Sequence, residues 1–210
     1  MEKAIDDVLF HLQEWRRFRS VLLLVVIQIG VFVFSGVGHF TLFGMITAER
    51  LDDVGALNTE LVDNGELWRL LASIFLHAGW VHLIVNTLNI YALGALVNRL
   101  YGTLWMWMSF VICGLSGSVL TWAMGTPRTV GASGAIFGWM GILWVLGWKH
   151  RSDLTGDGGR LFRYSLAVWS VVSLLIGWCI PFIDNAAHIG GLLVGVALGM
   201  IMNPKNIVDT

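Results

Sequence analysis

Charge is scarce in this sequence. Lys and Arg number 13 and Asp and Glu 14 among 210 residues, about half the charged share of an ordinary soluble domain. With 56% of the residues hydrophobic, too little polar side chain remains to cover a globule in water, so the chain reads as a membrane protein. A basic excess is also missing: a formal net charge of −1 excludes a nucleic-acid binder, which needs a cationic surface to neutralise phosphates. Two cysteines exclude a disulfide-stapled secreted scaffold, and Cys113 and Cys179, at different depths of different predicted helices, read as unpaired buried residues. No internal repeat is present, which argues against the inverted halves of many transporters.

What is present are six uncharged runs, 20–48, 70–98, 100–127, 129–148, 164–183 and 185–204, each at least 20 residues long. About 20 apolar residues at 1.5 Å rise cross a hydrocarbon core. The expected fold is therefore an all-α integral membrane protein, a six-transmembrane-helix bundle over residues 20–204, with cytoplasmic segments at 1–19 and 205–210. Only Arg99 separates the second and third runs, and Asn98, Tyr101 and Gly102 beside it suit a tight hairpin turn.

Lys and Arg set the orientation. With the N-terminus inside, the inner segments hold Lys3, Arg16, Arg17, Arg19, Arg99, Lys149, Arg151, Arg160, Arg163 and Lys205, and the outer ones hold only Arg50, Arg69 and Arg128. The positive-inside rule then places both termini in the cytoplasm. A compact chain without an organellar targeting segment points to the plasma (inner) membrane of a prokaryote. Ile5, Val8, Leu9, Leu12 and Trp15 recur at helical spacing between charges, predicting an amphipathic helix on the inner surface. The apolar stretch from Val21 is long for a signal peptide and lacks a clean small-x-small cleavage site, so it reads as the first span. Between Glu49 and Arg69, Leu51, Val54, Leu57 and Leu61 predict an outer loop folded back on the membrane surface.

Polar side chains at membrane depth are costly and mark candidate sites. The second, fourth and sixth spans all run from outside to inside, and each carries its polar residues near its start: His77, His82 and Asn86, then Ser133, then His188. Three helices thus bring reactive groups to one level, the outer third of the bilayer. His82 and Asn86, four apart, share a helix face. Ser133 sits in Gly131-Ala132-Ser133-Gly134-Ala135 at a predicted helix N-terminus, where small neighbours allow close approach. Gly191, Gly195 and Gly199 form a small-residue stripe after His188, suited to packing on the fourth span with its Gly134, Gly138 and Gly141. These parts suit acyl transfer. Ser133 would be the nucleophile and His188 its general base, and His82, Asn86 and the Ser133 N–H would hold the oxyanion. Asp184, one turn before His188, reads as a solvated charge at a helix N-terminus or as a partner of the histidine.

Glu66-Leu67-Trp68-Arg69, His77, His82-Leu83-Ile84-Val85-Asn86, Gly131-Ala132-Ser133-Gly134 and Ala187-His188-Ile189-Gly190-Gly191, in that order on this chain, resemble a rhomboid intramembrane serine protease over roughly residues 66–199. The resemblance implies a Ser133/His188 dyad, an oxyanion site using His82 and Asn86, and cleavage of transmembrane segments of other proteins, with membrane lipid as surroundings and no metal or small-molecule cofactor. Phe137 stands where the family often has Tyr packing on the catalytic histidine, and Gly131 and His77 are candidates for site support. Trp68-Arg69 reads equally as an interfacial anchor or as a loop stabiliser. The rival readings are a proteolytically inactive rhomboid-like binder and a metal or proton transporter using His77, His82 and His188. The second leaves the glycine-framed serine unexplained, and neither H-E-x-x-H nor a carboxylate within the runs accompanies the histidines. A soluble-type G-x-S-x-G hydrolase is excluded because residue 135 is Ala and no strand pattern surrounds the motif.

Overall fold

Long apolar segments without proline or charge have one way to satisfy their backbone in lipid, which is to coil into helices. The computed structural model describes residues 2–42, 44–152, 156–180 and 182–205, with residues 2–16 described by backbone alone. Helix α1 spans Glu2–Gly36. The loop after it folds into α2 (Ala48–Val54), strand β1 (Leu57–Asn58), α3 (Thr59–Asp63) and α4 (Arg69–Ala72). Then follow α5 (Trp80–Tyr101), α6 (Thr103–Ala123), β2 (Arg128–Thr129), α7 (Ser133–Lys149), α8 (Gly156–Cys179) and α9 (Asn185–Ile201). The molecule is a helical membrane bundle whose large apolar side chains, among them Val26, Leu88, Leu161 and Val168, are exposed around its flank, as lipid contact requires.

Among the described residues, four helical segments have the length and composition to cross a membrane: 17–36 of α1, α5, α6 and α8. Helices α7 and α9 are 17 residues each, about 25 Å, at the short limit for a span. The uncharged runs overshoot the helices because lack of charge marks depth or burial and not coiling. Residues 37–42, 44–47 and 73–79 are uncharged yet non-helical beyond a 3₁₀ turn at Ser73–Phe75. They pair with each other, Ile46 N–H donating to Ala78 O at 2.8 Å and Met45 bridging Gly79. Helix α1 runs unbroken through the boundary expected at 19/20, and its length of about 52 Å exceeds a hydrocarbon core. The side chains of the predicted amphipathic face, Ile5 to Trp15, lie outside the described residues, as do residues 206–210. Cys113 is buried, but Cys179, expected inside, is exposed at the end of α8.

Glycine decides how the centre packs. A Cβ at Gly191 or Gly195 of α9 would overlap the carbonyl oxygen of Gly134 or Gly138 of α7, so these helices touch backbone to backbone. Across the other face of α9, a Cβ at Gly190 would stand 2.7 Å from Ser116 O of α6. Thirteen of the seventeen residues of α7 are buried, which makes it the central post of the bundle. Its Trp139 lies against Gly94 of α5 and donates its indole N–H to Ser109 Oγ of α6 at 2.9 Å. At the far end, the buried Asn98 donates to Arg17 O at 2.9 Å, tying α5 to α1.

Candidate active site

The glycine contact between α7 and α9 carries two polar side chains to the same place. Ser133 is the first residue of α7 and partly exposed, and His188 lies in the first turn of α9 and is buried. Their Oγ and Nε2 atoms are 2.9 Å apart, a hydrogen bond between residues 55 apart in sequence. The Phe137 ring, one turn below Ser133, stacks on the imidazole with centroids 4.1 Å apart and planes 8° from parallel. His188 Nδ1 has no hydrogen-bond partner among the described residues, so ring stacking, not a carboxylate, holds the imidazole in place.

Asp184 stands at a helix N-terminus as expected, hydrogen-bonded to protein groups there and making no hydrogen bond to that imidazole among the described residues. It caps α9, with Oδ1 accepting the Ala187 N–H at 3.1 Å, and Oδ2 accepts the Thr121 hydroxyl at 2.6 Å. The carboxylate therefore fixes the start of α9 against α6, and with it the approach of His188.

His82 and Asn86 stand on one face of α5, opposite Gly131. That glycine has φ +128°, and a Cβ there would lie 2.6 Å from His82 Cε1 and 3.5 Å from Asn86 Nδ2, so only glycine admits both side chains beside the segment leading to Ser133. Asn86 is 4% exposed and its Nδ2 has no partner among the described residues, a buried donor directed at the site. His77, expected on the same helix as His82, instead precedes it: α5 begins at Trp80 after an extended Leu76. The buried His77 ring meets His82 edge-on with centroids 5.0 Å apart.

The segment before Ser133 is held by the loop between α1 and α5. Strand β2 pairs antiparallel with β1, Leu57 opposite Thr129 and Asn58 opposite Arg128. This corrects the expectation that no strand lies near the motif; two residues are too few to show a period-two pattern. Thr59 Oγ1 donates to Thr126 O at 2.6 Å, and Gly131 N–H donates to Ser73 O at 2.9 Å. Arg128 Nε donates to Asp52 Oδ1 at 2.7 Å, and its hydrogen bonds hold the Asp52 carboxyl below the usual carboxylate range. Arg69 takes the loop-stabilising role: it is 5% exposed and donates to Asp52 O at 2.6 Å, Ala56 O at 3.2 Å and Glu66 Oε2 at 2.8 Å. Trp68 stays exposed, with the Arg69 guanidinium over its ring.

Several of these partners escape a reading by depth and spacing alone. Asp52 and Arg128 are far apart in sequence, as are Trp122 and Asp63, whose side chains bond at 2.7 Å. Gln28, fully buried in α1 with neither amide atom partnered among the described residues, is a polar residue inside an apolar run, and that contrast is its signal in the sequence.

Comparison with known proteins bears on the whole arrangement. The Rhomboid domain family matches residues 64–205. The chain is 35% identical over 161 residues to the Rhomboid protease GluP of Bacillus subtilis, covering 75% of this chain and 31% of that protein. It is 35% identical over 173 residues to RHOMBOID-like protein 5 of Arabidopsis thaliana, covering 75% and 54% respectively. Against Rhomboid-like protease 5 of Toxoplasma gondii it is 33% identical over 150 residues, covering 70% and 18%. The chain thus spans about half the length of these relatives, or less.

Proposed function

The chain belongs to the rhomboid family of multi-pass membrane proteins, and from that membership we propose that it is an intramembrane serine endopeptidase cutting transmembrane segments of other membrane proteins. The observation that carries the reading is the 2.9 Å hydrogen bond between Ser133 Oγ and His188 Nε2. His188 takes the hydroxyl proton as Oγ attacks the scissile carbonyl carbon. The resulting oxyanion is met by donors from the Ser133 N–H, His82 and Asn86. Collapse breaks the C–N bond, His188 returns the proton to the leaving amine, and a water molecule, deprotonated by the same imidazole, hydrolyses the acyl-enzyme. All of this uses protein groups and water alone.

The same proposal sets six spans with both termini in the cytoplasm and the site opening outward in a prokaryotic plasma membrane. A substrate helix enters beside α8, a reading supported by the small buried part of that helix, with only Leu166, Ser170 and Gly177 inside among its described residues. Cross-linking from α8 to a bound substrate helix tests the entry route, and absence of any proximity overturns it.

Labelling of the folded wild type by a fluorophosphonate tests the chemistry without knowledge of the substrate. Ser133→Ala and His188→Ala are each expected to abolish labelling and cleavage while leaving the thermal unfolding profile intact. A folded wild type that does not label replaces this reading with that of an inactive rhomboid-like binder of membrane proteins.

A further inference from the structure

At the end of the bundle away from Ser133, α1 and α5 part to leave a cavity of about 290 Å³. Two arginines from distant parts of the chain, Arg17 and Arg99, reach it. Asn98, buried beside Arg99, donates to the Arg17 carbonyl at 2.9 Å, so the two helices are fastened to each other where both cations line one cavity. Arg99 lies 17 residues along α5 from His82, about 26 Å, which puts it at the opposite membrane surface.

Beyond the arginines the lining is apolar: Val21 on one side, Ala95 and Leu96 on the other. The Phe18 and Tyr91 rings meet edge to face at 6.5 Å across it, and both are nearly half exposed on the lipid-facing flank. The cavity is thus cationic where headgroups lie and apolar where acyl chains begin.

We propose that this groove is a binding site for an anionic phospholipid, with Arg17 and Arg99 on the phosphate and the apolar wall under the first part of an acyl chain. Guanidinium groups recognise phosphate through paired N–H donors, and basic pockets between spans on the cytoplasmic side select anionic headgroups. A free phosphate would engage the arginines and leave the apolar wall unused, so the lipid matches both halves of the cavity. This assignment is independent of the protease reading.

The test is thermal unfolding of the full chain in neutral detergent micelles, titrated with phosphatidylglycerol, with phosphatidylcholine of the same acyl chains, or with inorganic phosphate. Phosphatidylglycerol is expected to raise the midpoint saturably, and the other two to leave it nearly unchanged. Arg17→Gln/Arg99→Gln is expected to weaken the response by about tenfold or more in half-saturating lipid, because it removes the charge-assisted donors. Arg160→Gln, on α8, keeps the response. Should the double variant not fold, Arg99→Gln alone, at an exposed position, carries the same expectation. Equal stabilisation by phosphatidylcholine, a response reproduced by inorganic phosphate, or an undiminished response in the Arg→Gln variants overturns the proposal.

Discussion

Gly195→Ala adds one methyl group to a residue that touches no reacting atom, and it is expected to disable the site. The new Cβ would overlap the carbonyl oxygen of Gly138 and stand 2.6 Å from its Cα. Carbon atoms pack at about 3.5–4.0 Å, so α9 must retreat from α7 by roughly 1 Å. Gly195 and His188 are seven residues apart on the same face of one helix, about 10 Å along its axis, and a rigid helix passes the shift on. A 2.9 Å contact between Ser133 and His188 would then open to roughly 4 Å, beyond hydrogen-bonding range. Misplacement of that size costs about 10²-fold in rate, and overpacking of this kind costs about 1–3 kcal/mol of stability. Two other glycines grade the argument. A Cβ at Gly199 would stand 2.9 Å from Val145 Cβ and 3.1 Å from Ile142 Cα and O, a milder overlap than the one with Gly138 O at Gly195, so Gly199→Ala should lose less; Gly30 has open space, so Gly30→Ala should lose nothing. The measurements are fluorophosphonate labelling rate and thermal unfolding in micelles. A Gly195→Ala protein that labels and melts like the wild type refutes the claim that backbone contact between α7 and α9 sets the distance between Ser133 and His188.

Loss of Ser133 or His188 should abolish labelling, as set out above. Asn86→Ala should lower cleavage by about 10²–10³, the usual cost of one oxyanion donor, yet hold or gain stability, since it removes a buried N–H that has no partner among the described residues. Cleavage kinetics beside unfolding separate the two effects, and parallel losses would count against the donor role. The Asp52 carboxyl, held below its ordinary value of 3.8 by Arg128, binds protons less readily folded than unfolded. Its contribution is therefore complete above about pH 4 and disappears as pH falls through the lowered value, with a size of about 1 kcal/mol or less for so accessible a pair. Proteolysis of the outer loop should accelerate in acid for the wild type, with that part of the pH dependence absent in Asp52→Asn; identical profiles would exclude the pair.

The residues that meet at the site were legible because membrane depth is written in a helix's numbering. Once α5, α7 and α9 run the same way, His82, Ser133 and His188 fall near equivalent ends, and the glycine stripe announces which helices touch. What was not legible depends on protein burying protein. Residues 73–79 carry no charge because neighbouring segments enclose them, so they read as part of a span and drew His77 onto the wrong element. For Arg69 the sequence leaves the interfacial anchor and the loop stabiliser equally open, because an arginine next to a tryptophan near an apolar run suits both; its burial follows from three acceptors, two of them backbone carbonyls, that only the folded loop assembles. The pairing of Asp52 with Arg128 spans 76 residues and leaves no local pattern.

The burial of α7 has a consequence for how the protein meets membranes of different thickness. Hydrophobic mismatch acts on helices that lipid touches, which respond by tilting or by deforming the bilayer around them. Lipid reaches α5, α6 and α8, which have 22, 21 and 24 residues, whereas α7 with 17 is jacketed by its neighbours. A thinner or thicker bilayer therefore strains the jacket while the inner post, clasped to α9 through glycine backbones, keeps its internal spacing. On the proposed reading, bilayer thickness thus acts on how deeply a substrate segment is presented more than on the pairing of serine with histidine.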